Sequence, residues 1–246
     1  MEEKKEILTL NQIKKSFVKD GERFPVLNGV SLSVREGECF VLLGRSGCGK
    51  TTLLRVAGGF LSPEEGEVCL DGERVKKPGT AQMMVFQDFH QLFPWMTLKK
   101  NLIYAMKKAR PEMSKEEREK VAEKFLTAAG LLEFANQYPA GLSGGMKQRG
   151  ALARALCLQP RVLLMDEPFS SLDYLSRQTA RQTVQKMAAE TGCTILLVTH
   201  DIEEAVELGD RIGILDVKTH RLSKVYTAAE YEDRGKLAEE LRKELL

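Results

Sequence analysis

The sequence has little net charge and no long apolar run. Its 37 Lys and Arg residues against 35 Asp and Glu residues leave a formal charge of +2. A nucleic-acid groove neutralises many phosphates and needs a clear basic excess, so we expect no nucleic-acid partner. Apolar runs such as CFVLL and TILLV are only long enough for strands, and we therefore expect a protein that is neither secreted nor membrane-spanning.

Paired cysteines, internal repeats and low-complexity segments are also missing. The five cysteines stand far apart and form no C-x-x-C pair, which argues against a disulfide framework and a zinc site and fits a reducing cytosol. At 246 residues, 43% of them hydrophobic, the chain can bury a full core as one large domain or two small ones. We expect a single domain over 1–246.

The first ninety residues have the pattern of strands. Val30, Leu32 and Val34 alternate with polar residues, and the Asp-Gly dipeptide at 71–72 favours a tight hairpin turn. This pattern predicts an antiparallel layer beside a central strand at 39–43.

A helical pattern follows from about 97 to 158. Ser114 and Glu117 have the spacing of a capping box, and Gly130 is a stop signal after an apolar face. We expect a helical subdomain at about 91–158.

Continuous apolar runs return at 162–166, 194–200 and 211–216, with a polar helix between the first two. Strands without internal alternation, separated by helices, indicate a mainly parallel sheet covered on both faces. We therefore expect an α/β core made of about 1–90 and 159–246.

The last twenty residues have the pattern of a charged amphipathic helix. Leu237, Leu241 and Leu245 share one face, and Glu239 can pair with Lys243. We expect this helix to be packed or solvated, with partner binding as the alternative.

The segment GRSGCGKTT stands between an apolar strand and a helix. In this order, backbone N–H groups and the helix dipole converge on the phosphates of a nucleotide, Lys50 reaches the β- and γ-phosphates, and the Thr51 hydroxyl ligates Mg²⁺. The alternative is an ordinary glycine turn with a surface lysine. The residues predicted to hold ATP here are Gly44, Arg45, Ser46, Gly47, Cys48, Gly49, Lys50, Thr51 and Thr52.

RVLLMDEP supplies two acids at the end of a strand. Asp166 is placed to hold Mg²⁺ through water, and Glu167 is placed to orient the attacking water and accept its proton. Adjacent acids after a strand also serve as helix caps, which alone would be an equal alternative. Their combination with Lys50 favours the metal and the base.

LSGGMKQR contains a second anion-binding pattern. The Ser143 hydroxyl, the Gly144 and Gly145 amides and a helix dipole can together hold a phosphate, although Ser143 can also be a plain N-cap. One triphosphate rarely needs two phosphate-binding loops from the same chain. We therefore expect this loop to bind the ATP held by another copy.

The order GRSGCGKTT, FQDFHQ, LSGGMKQR, VLLMDEP, SSLD and VTHD resembles the ATP-binding subunits of ABC transporters over nearly the whole chain. The resemblance implies a P-loop NTPase fold of ABC type and an ATPase with ATP and Mg²⁺. It also implies a head-to-tail homodimer in which each nucleotide lies between one phosphate loop and the partner's signature loop.

Several roles follow from this resemblance alone. Gln87 is implied to contact Mg²⁺ and water and to signal to the membrane partner, Asp173 to be the cross-subunit acid, and His200 to touch the γ-phosphate. Otherwise they would be a polar strand end, a helix cap and a turn residue, respectively. Phe17 is implied to stack on adenine, with Phe24 as a competitor.

Two further features depend on the family. Gly150 stands where many members have Ala or Val; Gly costs about 1 kcal/mol there against Ala, and it either loosens the helix or permits close packing. Phe93, Pro94 and Trp95, here called the apolar pad, either fill the base of the helical block or form the groove for a transporter's coupling helix.

The segment FQDFHQLFPW resembles the corresponding segment in the branch of the family that serves nitrate, sulfonate and taurine importers. This implies integral membrane permease subunits as partners, a solute-binding protein as an indirect one, a position on the cytoplasmic face of the membrane, and import of a small anion or sulfonate-like solute. The alternatives are a soluble non-transport ABC ATPase, an exporter ATPase subunit, and a P-loop kinase or GTPase. The last would not explain LSGGMKQR or VTHD.

Overall fold

Residues 5–88 and 91–245 are described in this computed structural model, with Lys19 described by its main chain alone. They divide into two units. Unit 1 contains the described residues of Met1–Gly79, Leu164–Asp166 and Thr194–Leu246, and unit 2 those of Thr80–Leu163 and Glu167–Cys193. The predicted helical block at 91–158 falls in unit 2.

The strands are β1 (Glu6–Lys19), β2 (Glu22–Arg35), β3 (Cys39–Leu43), β4 (Glu65–Leu70), β5 (Glu73–Arg74), β6 (Gln82–Val85), β7 (Val162–Asp166), β8 (Thr194–Thr199), β9 (Arg211–Leu215) and β10 (Leu222–Thr227). The α-helices are α1 (Lys50–Ala57), α2 (Leu98–Ala109), α3 (Lys115–Ala128), α4 (Gly144–Leu156), α5 (Tyr174–Thr191), α6 (Ile202–Leu208) and α7 (Arg234–Leu245). Within the described residues, no helix is long and apolar enough to cross a bilayer.

Unit 1 contains the predicted antiparallel layer, with strand order β2-β1-β4-β5. Val30, Leu32 and Val34 of β2 face the core and are buried, as their alternation predicts. Asp71 and Gly72 both have positive φ, 51° and 81°, and join β4 to β5. Positive φ at both central residues is the geometry of a tight hairpin turn, so this prediction is confirmed.

The main sheet of unit 1 has the order β10-β9-β3-β8-β7, with β3 in its centre. β3 pairs in parallel with β8 on one side and β9 on the other, and β10 is antiparallel to β9. Nearly every residue of β3, β7 and β8 is buried. The mainly parallel core is therefore confirmed, and it places the carboxyl ends of β3 and β8 side by side.

Unit 2 is mainly helical. The Ser114 hydroxyl accepts from the Glu117 amide at 3.1 Å, and the Glu117 carboxylate accepts from the Ser114 amide at 2.6 Å, which confirms the capping box of α3. Gly130 follows the end of α3 with φ 64°. A β-carbon at Gly150 of α4 would lie 2.7 Å from a methyl carbon of Leu98. Close packing, rather than a loosened helix, therefore explains this glycine.

The end of the chain differs from the prediction. Thr227 ends β10, which pairs with β9, and Ala228–Glu230 form a short 3-10 turn, so the terminal helix begins only at Arg234. Leu237 and Leu241 are fully buried, whereas Leu245 is half-exposed in the last turn of α7. The predicted stripe is therefore right for two of its three leucines, and Leu246 lies outside the described residues.

Candidate functional site

The glycine-rich loop of unit 1 joins β3 to α1. Gly49 is the N-cap of α1 with φ 107° and ψ 5°, a conformation that side chains rarely adopt. A β-carbon there would also lie 2.6 Å from the Val26 carbonyl oxygen. The loop therefore wraps the start of α1 with its main chain, which points backbone N–H groups and the positive end of the helix toward one place.

Two glycines of this loop distinguish the cost of a strained backbone conformation from the cost of steric overlap. Gly47 has φ 82° but nothing within 4 Å of an added β-carbon, whereas Gly49 has positive φ and a close carbonyl. We expect Gly47→Ala to lose about 1–2 kcal/mol of unfolding free energy from backbone strain, and Gly49→Ala about 1–3 kcal/mol more from overlap. Urea unfolding of both variants measures the difference, and equal losses would contradict this account.

Lys50 is buried in the first turn of α1. Its ammonium donates to the Gly44 carbonyl at 2.8 Å and to the Arg45 carbonyl at 3.1 Å. The cation therefore lies against the loop that precedes it. Cys48 is fully buried, a β-carbon on Gly44 would come within 2.7 Å of its sulfur, and burial raises the pKa of its thiol. Its side chain is thus part of the packing beneath the loop.

The next residue, Thr51, meets the end of β7. Its hydroxyl donates to the Asp166 carboxylate at 2.9 Å, although the two residues are 115 positions apart in the chain. Asp166 is 5% exposed. A hydroxyl and a carboxylate are the hard oxygen ligands that Mg²⁺ prefers, so the donor set fits that ion. The predicted convergence of Thr51 and Asp166 is what the structure has.

His200 follows β8 at the same edge of the sheet as the glycine loop, because Leu43 of β3 pairs with Thr199 of β8. The buried Thr199 hydroxyl donates to the Glu204 carboxylate at 2.7 Å and accepts from the Asp201 amide at 3.0 Å. The main chain is therefore held on both sides of His200, whose own side chain is exposed. Asp201 also caps α6. A helix that begins here agrees with the alternative interpretation of His200, in which it is a turn residue.

Phe17 and Phe24 are direct cross-strand partners in the β1–β2 hairpin. They are 44% and 46% exposed, and the Lys15 ammonium lies 5.9 Å from the centre of the Phe17 ring. The two residues form one exposed aromatic pair. Either ring is therefore accessible for stacking on a base.

Unit 2 contains the other predicted residues, beginning with Glu167. This residue has φ 43°, in the left-handed region that few non-glycine residues adopt. The Ser170 amide and hydroxyl both donate to the Glu167 carbonyl, at 3.3 and 3.0 Å. The Gln87 amide nitrogen in turn donates to the Ser170 hydroxyl at 3.2 Å. Phe89 and His90, in the same FQDFHQ motif as Gln87, lie outside the described residues.

Ser170 is the first residue of the SSLD motif, in which only Asp173 is assigned a role from the sequence. A short polar residue three positions after Glu167, the acid that follows β7, is a signal for a side-chain turn, but the contact with Gln87 spans 83 positions and no local pattern indicates it.

The signature segment opens α4. The exposed Ser143 hydroxyl accepts from the Met146 amide at 3.3 Å, as a plain N-cap does. A hydroxyl retains its own proton and a second lone pair in that role, so capping leaves it able to donate to an anion. Gly144 is half-exposed, whereas Gly145 is buried, and a β-carbon on it would lie 2.9 Å from the Ser176 side chain of α5.

Asp173 is the N-cap of α5 and is exposed. Hydrogen bonds from the Ser176 side chain and backbone hold the pKa of the Asp173 carboxyl below its ordinary value. The cap interpretation of this residue is therefore correct for the isolated chain, and the carboxylate stays ionised for any further partner.

The apolar pad lies on the surface of unit 2. Trp95 is 68% exposed, and its ring centre is 5.4 Å from that of Phe93. Phe93 also meets Tyr104 edge-on at 5.3 Å, and the Arg154 guanidinium lies 5.3 Å from its ring. Phe93 thus anchors the pad, while Trp95 does not fill the interior of the helical block.

Residues 27–170 match the ABC transporter family. The chain belongs to this family. One ABC relative, the bicarbonate transport ATP-binding protein CmpC of Synechococcus elongatus, is 41% identical over 209 residues, 85% of this chain and 31% of CmpC. The nitrate import ATP-binding protein NrtD of that species is 42% identical over 202 residues, 79% of this chain and 73% of NrtD. The predicted family and branch are confirmed, although the chain spans less than a third of CmpC.

Solved ABC structures share the fold. A dimeric structure of MJ0796, a bacterial ABC transporter cassette, is 34% identical with a TM-score of 0.79, covering 90% of this chain and 99% of that one. A dimeric post-hydrolysis state of MJ0796 bound to ADP and Pi is 33% identical with a TM-score of 0.77. The predicted fold, a P-loop NTPase of ABC type, is therefore confirmed.

Proposed function

We propose that this protein is the ATP-hydrolysing subunit of a transporter that imports a small anion or a sulfonate-like solute. The observation that carries the proposal is the Thr51–Asp166 contact beside a glycine loop in which Gly44 and Gly49 leave no space for a side chain. Membership of the ABC family and the bicarbonate and nitrate relatives support it.

ATP and Mg²⁺ are the proposed cofactors. Bound Mg²⁺ would neutralise charge on the β- and γ-phosphates. The loop amides of Gly44–Thr52 hold phosphate oxygens, Lys50 adds a cation, and Thr51 and Asp166 offer the metal ligands, with Gln87 as a further one. Phe17, of the exposed aromatic pair, is proposed to stack on adenine at about 1–3 kcal/mol per base.

Glu167 is the proposed general base. A carboxylate directly after a metal-binding aspartate can hold the attacking water and accept its proton as the water approaches the γ-phosphate. His200 is proposed to contact that phosphate from its exposed position at the end of β8.

A second copy of the chain is proposed to complete each site. Ser143, Gly144 and Gly145 of one copy would bind the nucleotide held by the other, with Asp173 as an acid across the interface. The N-terminal end of α4 supplies amides and a positive dipole for an anion. The dimeric form of the MJ0796 cassette supports this arrangement.

Integral permease subunits are the proposed membrane partners, with a solute-binding protein acting through them, on the cytoplasmic face of the membrane. The exposed apolar pad supports a docking role, since large apolar side chains clustered on a surface mark interaction sites. Co-expression with the permease encoded nearby tests the proposal. We expect co-purification and Mg²⁺-dependent ATP hydrolysis that the transported solute stimulates; ATPase activity that never associates with a membrane protein would favour the soluble alternative.

Replacing Trp95 should separate hydrolysis from coupling. Trp95→Ala removes the most exposed part of the pad without opening the core, so thermal stability and ATP hydrolysis by the isolated chain should stay close to those of the unchanged protein. Loss of a central aromatic contact costs about 2 kcal/mol or more of binding, which lowers permease affinity about 30-fold. Tyr174→Ala, which removes another highly exposed aromatic of unit 2 outside the pad, is the control. Equal retention of permease by both variants would exclude the pad as the contact.

A further inference from the structure

We propose that Ser170 is a positioning residue that ties the orientation of Glu167 to that of Gln87. Its hydroxyl lies between them, 3.2 Å from the Gln87 amide nitrogen and 3.0 Å from the Glu167 carbonyl oxygen. The inference rests on the proposed ATPase function, in which Glu167 is the base and Gln87 is a metal ligand that signals to the membrane partner.

The direction of each hydrogen bond in this bridge is fixed by chemistry. A backbone carbonyl can only accept, so the single Ser170 hydroxyl proton is donated to Glu167. The hydroxyl must therefore accept from Gln87, which requires the nitrogen of the Gln87 amide to face Ser170. The side-chain nitrogen of Gln87 makes the hydrogen bond to Ser170. The side-chain oxygen of the same amide is the atom that would ligate a metal ion. Ser170 thus sets which way the Gln87 amide is turned.

The other end of the bridge holds an unfavourable backbone conformation. Glu167 has φ 43°, and its carbonyl accepts both the amide and the hydroxyl of Ser170, which closes the turn from 167 to 170. A residue in the left-handed region persists only where its surroundings hold it there. Because the Cα–Cβ direction follows from the backbone, the turn sets the direction in which the Glu167 side chain leaves the main chain.

Displacement of Gln87 would therefore remove the hydrogen bond that orients the Ser170 hydroxyl, the group that donates to the Glu167 carbonyl. Gln87 lies just beyond the end of β6 and is exposed, so a partner can reach it. The bridge gives a direct physical route from the residue proposed to signal to the membrane partner to the general base, within one unit of the protein.

Ser170→Ala removes the bridge, and the adjacent, exposed Ser171 offers a matched control. For Ser170→Ala we expect kcat for ATP to fall about 5- to 30-fold, as for one or two hydrogen bonds, while KM changes by less than about twofold. Ser170→Thr keeps the hydroxyl and should restore kcat, and Ser171→Ala should leave it unchanged. Ser170→Cys, a weak hydrogen-bonding isostere, should reproduce the loss if the alanine variant folds poorly.

A double-mutant cycle tests whether Ser170 acts through Gln87. We expect the Gln87→Ala/Ser170→Ala variant to be no slower than the slower single variant, since residues of one network are not additive. Losses of kcat that multiply, a full rate for Ser170→Ala, or no rescue by threonine would overturn this inference while leaving the proposed function intact. An unchanged protein that fails to hydrolyse ATP would overturn the proposed function and this inference together.

Discussion

Replacing Lys50 with alanine is expected to weaken ATP binding about 100-fold or more. A charge pair at about 4 Å and an effective dielectric of about 20 is worth roughly 4 kcal/mol before desolvation, and 1.4 kcal/mol corresponds to tenfold in Kd. The ammonium lies against the Gly44 and Arg45 carbonyls, so it is held at the loop that is proposed to bind phosphate. Titration with a fluorescent ATP analogue measures the change.

The control must separate a lost phosphate contact from a lost fold. Lys14→Ala removes a lysine of the same unit that is paired with Glu65 on the surface, at a side-chain exposure of 43%. It lowers the net charge equally and should bind ATP as the unchanged protein does. Circular dichroism of both variants checks that each is folded. If Lys50→Ala binds ATP with unaltered affinity, the assignment of this loop as the phosphate site is wrong.

The fold was predictable where local pattern and chemistry agree. The strand, glycine loop and helix around Lys50 are contiguous in the chain, so their order alone indicates the geometry. Parallel strands bring their carboxyl ends to one edge, which is why Thr51 and Asp166 could be paired from the sequence. The strand at Leu222–Thr227 was not predicted, and it is defined by its antiparallel pairing with β9.

The finer features of the site could not be predicted because they depend on register and on distant contacts. Phe17 and Phe24 could not be separated since the hairpin register places them opposite each other at similar exposure. The glycine at 150 is explained by Leu98 and Leu92, which are more than fifty positions earlier in the chain and pack where a β-carbon would be. The Ser170 bridge requires knowledge of where Gln87 lies in space.

Glu167→Gln is expected to abolish hydrolysis while preserving ATP binding, and so to accumulate an ATP-bound dimer. The amide has the size of the carboxylate but cannot accept a proton, and loss of a general base costs about 100- to 10,000-fold in rate. The phosphate-binding residues are untouched, so affinity should be close to that of the unchanged protein. Size-exclusion chromatography with saturating Mg-ATP should show a dimer that the unchanged protein loses as it turns over.

Two further variants show whether a trapped dimer is caused by the loss of the general base and by the proposed contact across the interface. Glu203→Gln removes an exposed carboxylate of α6 in unit 1 and should neither slow hydrolysis nor trap a dimer. Adding Ser143→Arg to Glu167→Gln places a bulky cation at the start of α4 and should prevent the dimer while each copy still binds ATP, because the proposed contact is made only across the interface. A Glu167→Gln chain that remains monomeric with saturating ATP would show that two copies do not share the nucleotide. A double variant that still dimerises would show that the contact is made elsewhere than at Ser143.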